Sequence, residues 1–217
     1  METLTKIAFD IRNIARSTHG ATTDKLSIEQ IKFWINSYRA LFIRRDSEIQ
    51  GFNPSNFEST FFVPFEPVPA QEYPVVFSGR KVLSRSCSKI PLPVRSKTRT
   101  IGYIGSADFN NPIPFVNTDR LAYIDHSPFG SLIPSAYMLN ERLYVTTNTL
   151  GLLVSLIADD YEALATFKDQ YGEFISDDSG YPIPSDYIAR IRDTILKVEV
   201  SAFLNIKADD IQDNIQQ

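Results

Sequence analysis

The sequence has few of the residues from which catalytic and metal sites are built. Its 217 residues include one cysteine, Cys87, and two histidines, His19 and His126. A single cysteine excludes an intrachain disulfide framework and fits a reducing compartment. The two histidines stand in unrelated contexts and one thiol cannot complete a thiolate set, so we expect no metal. The glycines at Gly102 and Gly105 are too few for a phosphate-binding loop, so we expect no cofactor.

Groups for nucleophilic or acid–base catalysis are also missing. Cys87 lies in a basic neighbourhood, but no histidine-bearing motif accompanies it. The paired carboxylates are neighbours in the chain and point in different directions on a helix or strand, so they make poor acid–base couples. These pairs are Asp159-Asp160, Asp177-Asp178 and Asp209-Asp210. We therefore expect no catalytic residue and no enzymatic activity.

Long hydrophobic runs and an excess of positive charge are absent as well. The longest apolar stretch, Leu150 to Ala158, has about half the length that spans a bilayer. The first residues lack a basic segment followed by an apolar core, as a signal peptide would have. The net charge of −4 makes the chain as a whole no general polyanion binder. We expect a protein that does not enter a membrane.

Apolar residues recur at helical spacing near both ends of the chain. The spacing near the N-terminus predicts helices over 3–17 and 27–46. Ser27 is the expected N-cap of the second helix, because Gln30 follows three residues later as in a capping box. Later patterns predict helices over 159–171 and 185–204. Neither pair can bury its apolar stripe alone, so we expect both to pack as one helical bundle.

Proline rules out long helices in the middle of the chain, because seven of the 13 prolines lie between Pro54 and Pro93. The segment from Pro64 to Pro69 is expected to be extended loop. Short strands are expected at Phe61–Val63, Val75–Phe77, Lys81–Leu83, Thr100–Ile104, Leu121–Asp125 and Arg142–Thr147. The prediction is an α+β fold, with an N-terminal helical hairpin (1–50), an inserted Pro-rich β region (51–150), C-terminal helices completing the bundle (151–204) and a polar acidic tail (205–217).

One local concentration of charge stands out. No acidic residue occurs between Glu72 and Asp108. Such a stretch is either a solvated loop face or a surface that meets nucleic acid or an acidic partner. The Tyr- and Phe-rich loops nearby favour self-association, because exposed aromatics in stiff segments make good interface anchors. The basic residues of this stretch are Arg80, Lys81, Arg85, Lys89, Arg95, Lys97 and Arg99.

Several segments carry a family resemblance. The opening from Lys6 to Arg12 and the long run from Asp24 to Asp46 resemble head–tail connector subunits of crAss-like, short-tailed bacteriophages. Thr98 to Gly105, Tyr181 to Arg192 and the polar stretch from Ile206 to Ile211 are similar to the same group. These are structural patterns and contain no catalytic signature.

The resemblance implies a tail adaptor, a structural subunit of a ring beneath the portal in the virion. It implies self-association, expected to be twelvefold, with the portal protein above and further tail or neck proteins below. The subunit would be made in the host bacterial cytoplasm. DNA passing through the ring would be contacted without sequence specificity. The acidic tail would dock on the portal through Asn205, Ile206, Asp209, Asp210 and Ile211.

Two alternatives from other classes remain open. The first is a nucleic-acid-binding phage regulator with residues 27–45 as recognition helix. The loop from Ser17 to Leu26 is long for a helix-turn-helix, and the second helix is rich in apolar residues such as Trp34. The second is a hydrolase with an unrecognised site, which the residue inventory disfavours.

Overall fold

The computed structural model describes residues 2–19, 26–48, 52–69, 72, 82–94, 101–120 and 133–203. The described residues form two compact units. The first combines the chain up to Phe57 with the chain from Ser176 onward, and the second spans Glu58–Ile175. The first unit is helical and the second is built on a β-sheet.

The described residues of the first unit contain three α-helices, α1 (Leu4–His19), α2 (Ile28–Asp46) and α3 (Ser185–Thr194), and a 3₁₀ turn at Pro54–Phe57. Helix α3 continues into a wider π-helical turn over Ile195–Val200. Ser27 caps α2 as the sequence predicts, because its hydroxyl accepts a hydrogen bond from the Gln30 backbone N–H at 3.1 Å. The apolar stripes of the three helices form the buried interior, with Ile11, Ile31, Ile35, Ile191 and Ile195 almost fully buried. Three of the four predicted helices are thereby confirmed.

Polar groups are also buried in the first unit. Arg39 is fully buried and donates from Nη2 to the Phe57 carbonyl oxygen at 2.8 Å. Its guanidinium lies over the Tyr181 ring, 5.4 Å from the centroid. The Tyr181 hydroxyl in turn donates to Asn36 Oδ1 at 2.6 Å. Because such bonds are directional, they fix the segment around Tyr181 against α2.

A second polar contact joins the end of α2 to α3. Asp46, 6% exposed, accepts hydrogen bonds from the Tyr187 hydroxyl at 2.9 Å and from Arg190 Nη1. The Arg190 guanidinium lies 4.0 Å from the centroid of the Phe42 ring. Burial alone would raise the pKa of Asp46, but the bonds from Arg190 and Tyr187 outweigh it and hold this pKa below its usual value.

The second unit is a curled antiparallel sheet. The strand order is β3-β6-β1-β2-β5-β4, and β7 pairs with β1 away from that path. Strand β1 pairs with β6 through its first six residues and with β2 through its last three. The strands are β1 (Ser59–Pro67), β2 (Ser84–Ser86), β3 (Ile101–Gly105), β4 (Ala136–Leu139), β5 (Arg142–Val145), β6 (Gly151–Leu156) and β7 (Lys168–Asp169).

Prolines do not interrupt β1, which corrects the expectation of an extended loop from Pro64 onward. The strand runs to Pro67 with alternating burial, and Phe61, Val63 and Phe65 point to the buried side. Proline lacks an N–H but keeps its carbonyl, and the Pro64 carbonyl accepts a bond from the Cys87 N–H at 2.9 Å. Pro64 therefore still accepts a backbone hydrogen bond from the residue that follows β2, although it cannot donate one.

The segment 112–116 contacts both outer strands of the sheet. The Ile113 N–H donates to the Ile104 carbonyl of β3 at 2.7 Å. The Val116 N–H donates to the Ala136 carbonyl of β4 at 2.8 Å. Unpaired strand edges template aggregation, and this segment satisfies part of each edge.

The predicted helical bundle is wrong. The prediction placed an insertion where the structure has a curled antiparallel sheet. Residues 151–203, all of which are described, contain no second α-helix that could form a C-terminal pair with α3. Residues 159–171 form a 3₁₀ turn (Glu162–Thr166) followed by β7. The buried residues Tyr161, Leu164 and Phe167 recur every three residues, a spacing that suits a 3₁₀ turn as well as an α-helix. The preceding apolar run forms β6. This strand was not predicted from the sequence, because a strand buried on both faces shows no alternation of apolar and polar residues.

The predicted strands fared unevenly. Phe61–Val63 lies within β1, Thr100–Ile104 overlaps β3, and Arg142–Thr147 overlaps β5. Val75–Phe77, Leu121–Asp125 and Lys81 lie outside the described residues. Val82 and Leu83, the described part of the predicted strand Lys81–Leu83, are not in a strand and precede β2. Strands β2, β4 and β7 are too short to give a periodic signal of their own.

The buried carboxylate predicts an acid-sensitive first unit. A group whose pKa is lowered by folding contributes stability above its unfolded pKa, and that contribution is lost as pH falls through the folded pKa. The free energy of unfolding should therefore decline below about pH 4. Asp46→Asn should lower the free energy of unfolding by about 1–3 kcal/mol at neutral pH and make its decline with acid less steep. Urea denaturation at stepped pH measures both quantities.

The matched control is Asp10→Asn, at an exposed position of α1. It should keep the stability and the acid sensitivity of the parent protein. An Asp46→Asn variant that loses stability with acid as steeply as the parent would contradict the assignment.

Candidate functional site

The described part of the basic stretch lies on the sheet. Arg85 occupies the middle of β2, between the fully buried Ser84 and Ser86. It stands directly opposite Glu66 of β1 on one side and Tyr144 of β5 on the other. Tyr144 stands opposite Tyr137 of β4. A row of four side chains therefore crosses four strands on one face of the sheet, since directly paired residues share a face.

Two carboxylates neutralise Arg85 within the chain. Glu66 Oε1 accepts from Arg85 Nε at 2.8 Å and lies 2.6 Å from Nη2, while Glu72 Oε1 accepts from Nη1. Only 14% of the Arg85 side chain is exposed. Burial alone would lower the pKa of Arg85, but Glu66 and Glu72 outweigh it and raise this pKa. The cation is thus fixed in place as a structural ion pair.

The tyrosines extend this network into an apolar cluster. The Tyr144 hydroxyl donates to Glu72 Oε2 at 3.1 Å, and its ring stacks on Tyr137 with centroids 5.5 Å apart. Val68 and Val82 complete the buried cluster. Burial raises the pKa of both tyrosine hydroxyls, so both stay protonated at neutral pH. The cluster is suited to holding the sheet face together.

Lys89 lies in a different environment from Arg85. Its Nζ pairs with Glu141 Oε2 at 2.6 Å, while 69% of the lysine side chain is exposed. Glu141 and Asn140 form the β4–β5 turn with positive φ of 63° and 50°, and the Ile90 N–H donates to the Glu141 carbonyl at 2.6 Å. Lys89 therefore sits at the surface beside this turn, where a partner can reach it.

The other sequence-predicted site residues lie outside the described residues. They are Arg80, Lys81, Arg95, Lys97 and Arg99 of the basic stretch and Asn205, Ile206, Asp209, Asp210 and Ile211 of the tail. The structure therefore locates two members of the basic stretch. Arg85 is held in ion pairs with 14% of its side chain exposed, and Lys89 is exposed.

An exposed apolar surface lies on the second unit, which we call the aromatic face (Phe62, Lys168, Tyr171 and Phe174). Phe62 points outward from β1, opposite Lys168 of β7. Its ring packs directly on Gly151, where the Cβ of any other residue would lie only 2.1 Å from Phe62 Cζ. Lys168 Nζ lies over the Phe174 ring, 5.1 Å from the centroid. These contacts join Phe62, Lys168 and Phe174 on one surface, and Tyr171 lies in the turn between Lys168 and Phe174.

A second exposed apolar surface lies on α2, which we call the helix face (Phe33, Ser37 and Leu41). These residues are four apart and so share one side of the helix, away from the buried Ile31 and Ile35. Phe33 is 61% exposed and Leu41 is 52% exposed. Large apolar side chains grouped in water mark an interaction surface more often than scattered ones do.

The described residues lack the side-chain groups that metal chemistry requires. Across the described ranges, no group of three or more His, Cys, Asp or Glu side chains could hold a metal ion. No helix in these ranges is both long and apolar enough to cross a membrane. The exposed surfaces, and not a pocket with converging polar groups, are the candidate functional features.

Comparison with known families identifies the class of protein. A family model for ring proteins of phage tails matches residues 6–217, which makes the chain a structural protein of a bacteriophage virion. Within that class it belongs to the crAss-phage family described as phage tail ring protein 2. The resemblance to crAss-like phages is thereby confirmed. No protein in a search of curated sequences matched the chain.

Sequence reasoning missed both exposed faces. The predicted apolar stripe of α2 included Leu41 beside Phe42, but Leu41 is 52% exposed. Phe33 lies outside that predicted stripe, among polar residues of the helix. This is the signal that could have revealed the helix face, because large apolar residues on the polar side of an amphipathic helix need a partner. The aromatic face joins residues far apart in sequence, so no local pattern contains it.

The unequal environments of Arg85 and Lys89 predict unequal effects on stability. Arg85→Met should lower the free energy of unfolding by about 1–3 kcal/mol, because it leaves Glu66 and Glu72 without their cation. Lys89→Met, the matched control, should change it by less than about 0.5 kcal/mol, because exposed ion pairs contribute little. Urea denaturation of the two variants measures the difference. Equal losses would show that Arg85 is not held as described.

Proposed function

We propose that this protein is a non-catalytic subunit of a homo-oligomeric ring at the head–tail junction of the virion. The family match over residues 6–217 carries the proposal. A ring subunit needs two different complementary surfaces, because a single self-complementary surface closes at two copies. The two exposed apolar faces, on different units and of different composition, support such a subunit.

The proposed position is that of a tail adaptor or neck ring. The subunit would bind the portal protein above it and further tail or neck proteins below it, in a ring of twelve copies. The resemblance of residues 1–46 and 181–211 to head–tail connector subunits supports this position. Genomic DNA would pass through the lumen of such a ring.

Contact with DNA in the lumen would use the basic stretch without Arg85, whose charge is balanced inside the chain. Lys89 is the described member that reaches the surface. Phosphate contacts from flexible lysines and arginines neither read bases nor require a fixed register, so the contact would be salt-sensitive and indifferent to sequence. The remaining cations are Arg80, Lys81, Arg95, Lys97 and Arg99.

A regulator that reads DNA with α2 is the less well supported function. The buried side of α2 is committed to the first unit through Ile31, Ile35 and Ile43. Its exposed side presents Phe33 and Leu41, which cannot form the hydrogen bonds that distinguish base pairs.

A three-dimensional reconstruction of the phage particle tests the proposed function. We expect copies of this chain in a closed cyclic ring at the head–tail junction, in contact with the portal. Copies bound without mutual contact, or located at another part of the particle, would refute the proposal. The same map would give the copy number and show which way Lys89 faces.

The acidic tail is proposed to dock on the portal or on a neighbouring subunit. Its polar composition cannot bury enough apolar area to fold by itself. Deleting residues 206–217 should therefore leave the free energy of unfolding within about 0.5 kcal/mol of the parent value but prevent incorporation into particles. Immunoblots of purified particles measure incorporation, and urea denaturation checks the fold. A truncated chain found in particles at the parental level would count against docking through the tail.

A further inference from the structure

We propose that a pocket beside Arg192 in the helical unit binds the acidic tail (205–217) of an adjacent copy in the ring. The inference rests on the proposed function and names the surface on which the tail docks. The ligand is an acidic peptide segment that also carries isoleucines, and a second copy of this chain supplies it.

The pocket lies where the start of the chain meets α3, and its volume is about 490 Å³. The Tyr181 N–H donates to the Glu2 carbonyl oxygen at 3.0 Å, which fixes the wall formed by the start of the chain. The Ile188 N–H donates to the Pro184 carbonyl oxygen at 3.2 Å, which fixes the first turn of α3. A pocket with fixed walls loses little conformational freedom when it binds a ligand. The lining residues are Glu2, Ile183, Ser185, Ile188, Ala189 and Arg192.

Arg192 gives the pocket a cation that no carboxylate among the described residues neutralises. Glu2, the acidic residue of the lining, pairs with Lys6 of α1 instead, at 3.7 Å between Oε1 and Nζ. Because Arg192 is partly buried, its charge is less well solvated than that of an exposed arginine, and a carboxylate entering the pocket can pair with it. Ile183 and Ile188 supply apolar area beside this charge. The pocket therefore suits a carboxylate that stands next to an apolar side chain.

The acidic tail has the composition that such a pocket accepts. Its three aspartates, Asp209, Asp210 and Asp213, outnumber its single lysine. Ile211 directly follows the pair of aspartates, so a carboxylate and a branched apolar side chain are adjacent. A small number of polar contacts within an apolar pocket is the usual arrangement for binding a specific ligand.

Two other pockets suit the tail less well. The lining of the pocket between β3 and the segment 112–115 contains, among the described residues, no charged side chain. The pocket beside Lys89 has three carboxylates against one ammonium group, so it would repel an acidic segment. Those carboxylates belong to Glu141, Asp159 and Asp160. Charge therefore favours the Arg192 pocket over both.

The course of the helical segment favours a tail from another copy. From Arg192 to Phe203 the helical segment carries the chain roughly 16 Å away from the pocket. A tail of the same copy would have to reverse direction to return, whereas the tail of an adjacent copy can approach directly. Asp210 lies seven residues beyond Phe203 and can extend up to about 24 Å from it. A tail and a pocket are also unlike surfaces, as the contact between successive copies of a ring requires.

Binding of a tail peptide to the full-length chain tests the pocket. A fluorescent peptide with the sequence of residues 205–217 should bind the monomeric chain saturably, which fluorescence anisotropy measures. Arg192→Gln should weaken binding by about tenfold or more, because it removes the charge that pairs with the tail. A peptide with Asp209→Asn and Asp210→Asn should lose binding to a similar extent.

The matched control is Lys197→Gln, which removes one positive charge from an exposed position outside the pocket, on the same helical segment. It should bind the peptide as tightly as the parent protein does, and both variants should unfold at the parental urea concentration. Equal binding by the two variants would overturn the assignment of the pocket. Absence of peptide binding by the parent protein would overturn it as well.

Disulfide trapping in purified particles tests which copy supplies the tail. The background is Cys87→Ser, which removes the exposed native thiol. Ala189→Cys lies in the pocket, and Gln212→Cys lies in the tail beside Ile211. On oxidation, chains carrying both cysteines should form a ladder of covalent multimers, because each tail joins the next copy. Chains carrying either cysteine alone should remain monomers.

The outcomes separate the inference from the proposed function. A disulfide within one chain would show that the tail binds its own pocket and would overturn the inference. Dimers from either single-cysteine chain would also overturn it, because like surfaces would then be in contact. Incorporation of the chain that lacks residues 206–217 reports independently on docking through the tail. If that deletion prevents incorporation and no ladder forms, the tail docks elsewhere, so the inference fails and the proposed function stands.

Discussion

The second unit depends on the pairing of β1 along its whole length. Its nine residues hydrogen-bond to β6 through the first six positions and to β2 through the last three, with β7 joined at Phe61 and Phe62. All other strands attach to the sheet through these partners. The alternation of β1 buries Phe61, Val63 and Phe65 and turns Phe62 and Glu66 to the other face. The strand therefore contributes buried residues to the core and, on its other face, Phe62 to the aromatic face and Glu66 to the row that contains Arg85.

The two surface features that begin on β1 have different consequences. Glu66 and Glu72 neutralise Arg85, so this cation of the basic stretch stabilises the sheet and is not available to a partner. Phe62 belongs to the aromatic face, where no described side chain covers Tyr171 or Phe174 enough to bury it. A subunit built in this way keeps its strong polar contacts inside and leaves apolar area for other chains. This division suits a protein of the phage tail ring family, whose role is assembly.

The helical unit follows the same division. Asp46, Arg39 and Tyr181 are engaged within the unit by hydrogen bonds and ring contacts, whereas Phe33 and Leu41 remain exposed. Directional polar contacts fix how the helices pack, and the apolar ridge is left on a rigid support. Rigid surfaces suit a ring, because small errors of angle at one contact would add up around the closed circle.

Features that depend on residues close together in the chain could be predicted from the sequence. Helical spacing located α1, α2 and α3, Ser27 was identified as a cap, and the family resemblance gave the class of protein. Features that depend on residues far apart in the chain could not be predicted in this way. The apolar run at residues 151–156 is a strand because it pairs with β1. The three-residue spacing of Tyr161, Leu164 and Phe167 fits an α-helix and a 3₁₀ turn equally well, so the spacing alone could not distinguish them. The charge of Arg85 could be judged only once Glu66 and Glu72 were known to lie beside it, since ion pairs form across space and leave no pattern along the chain.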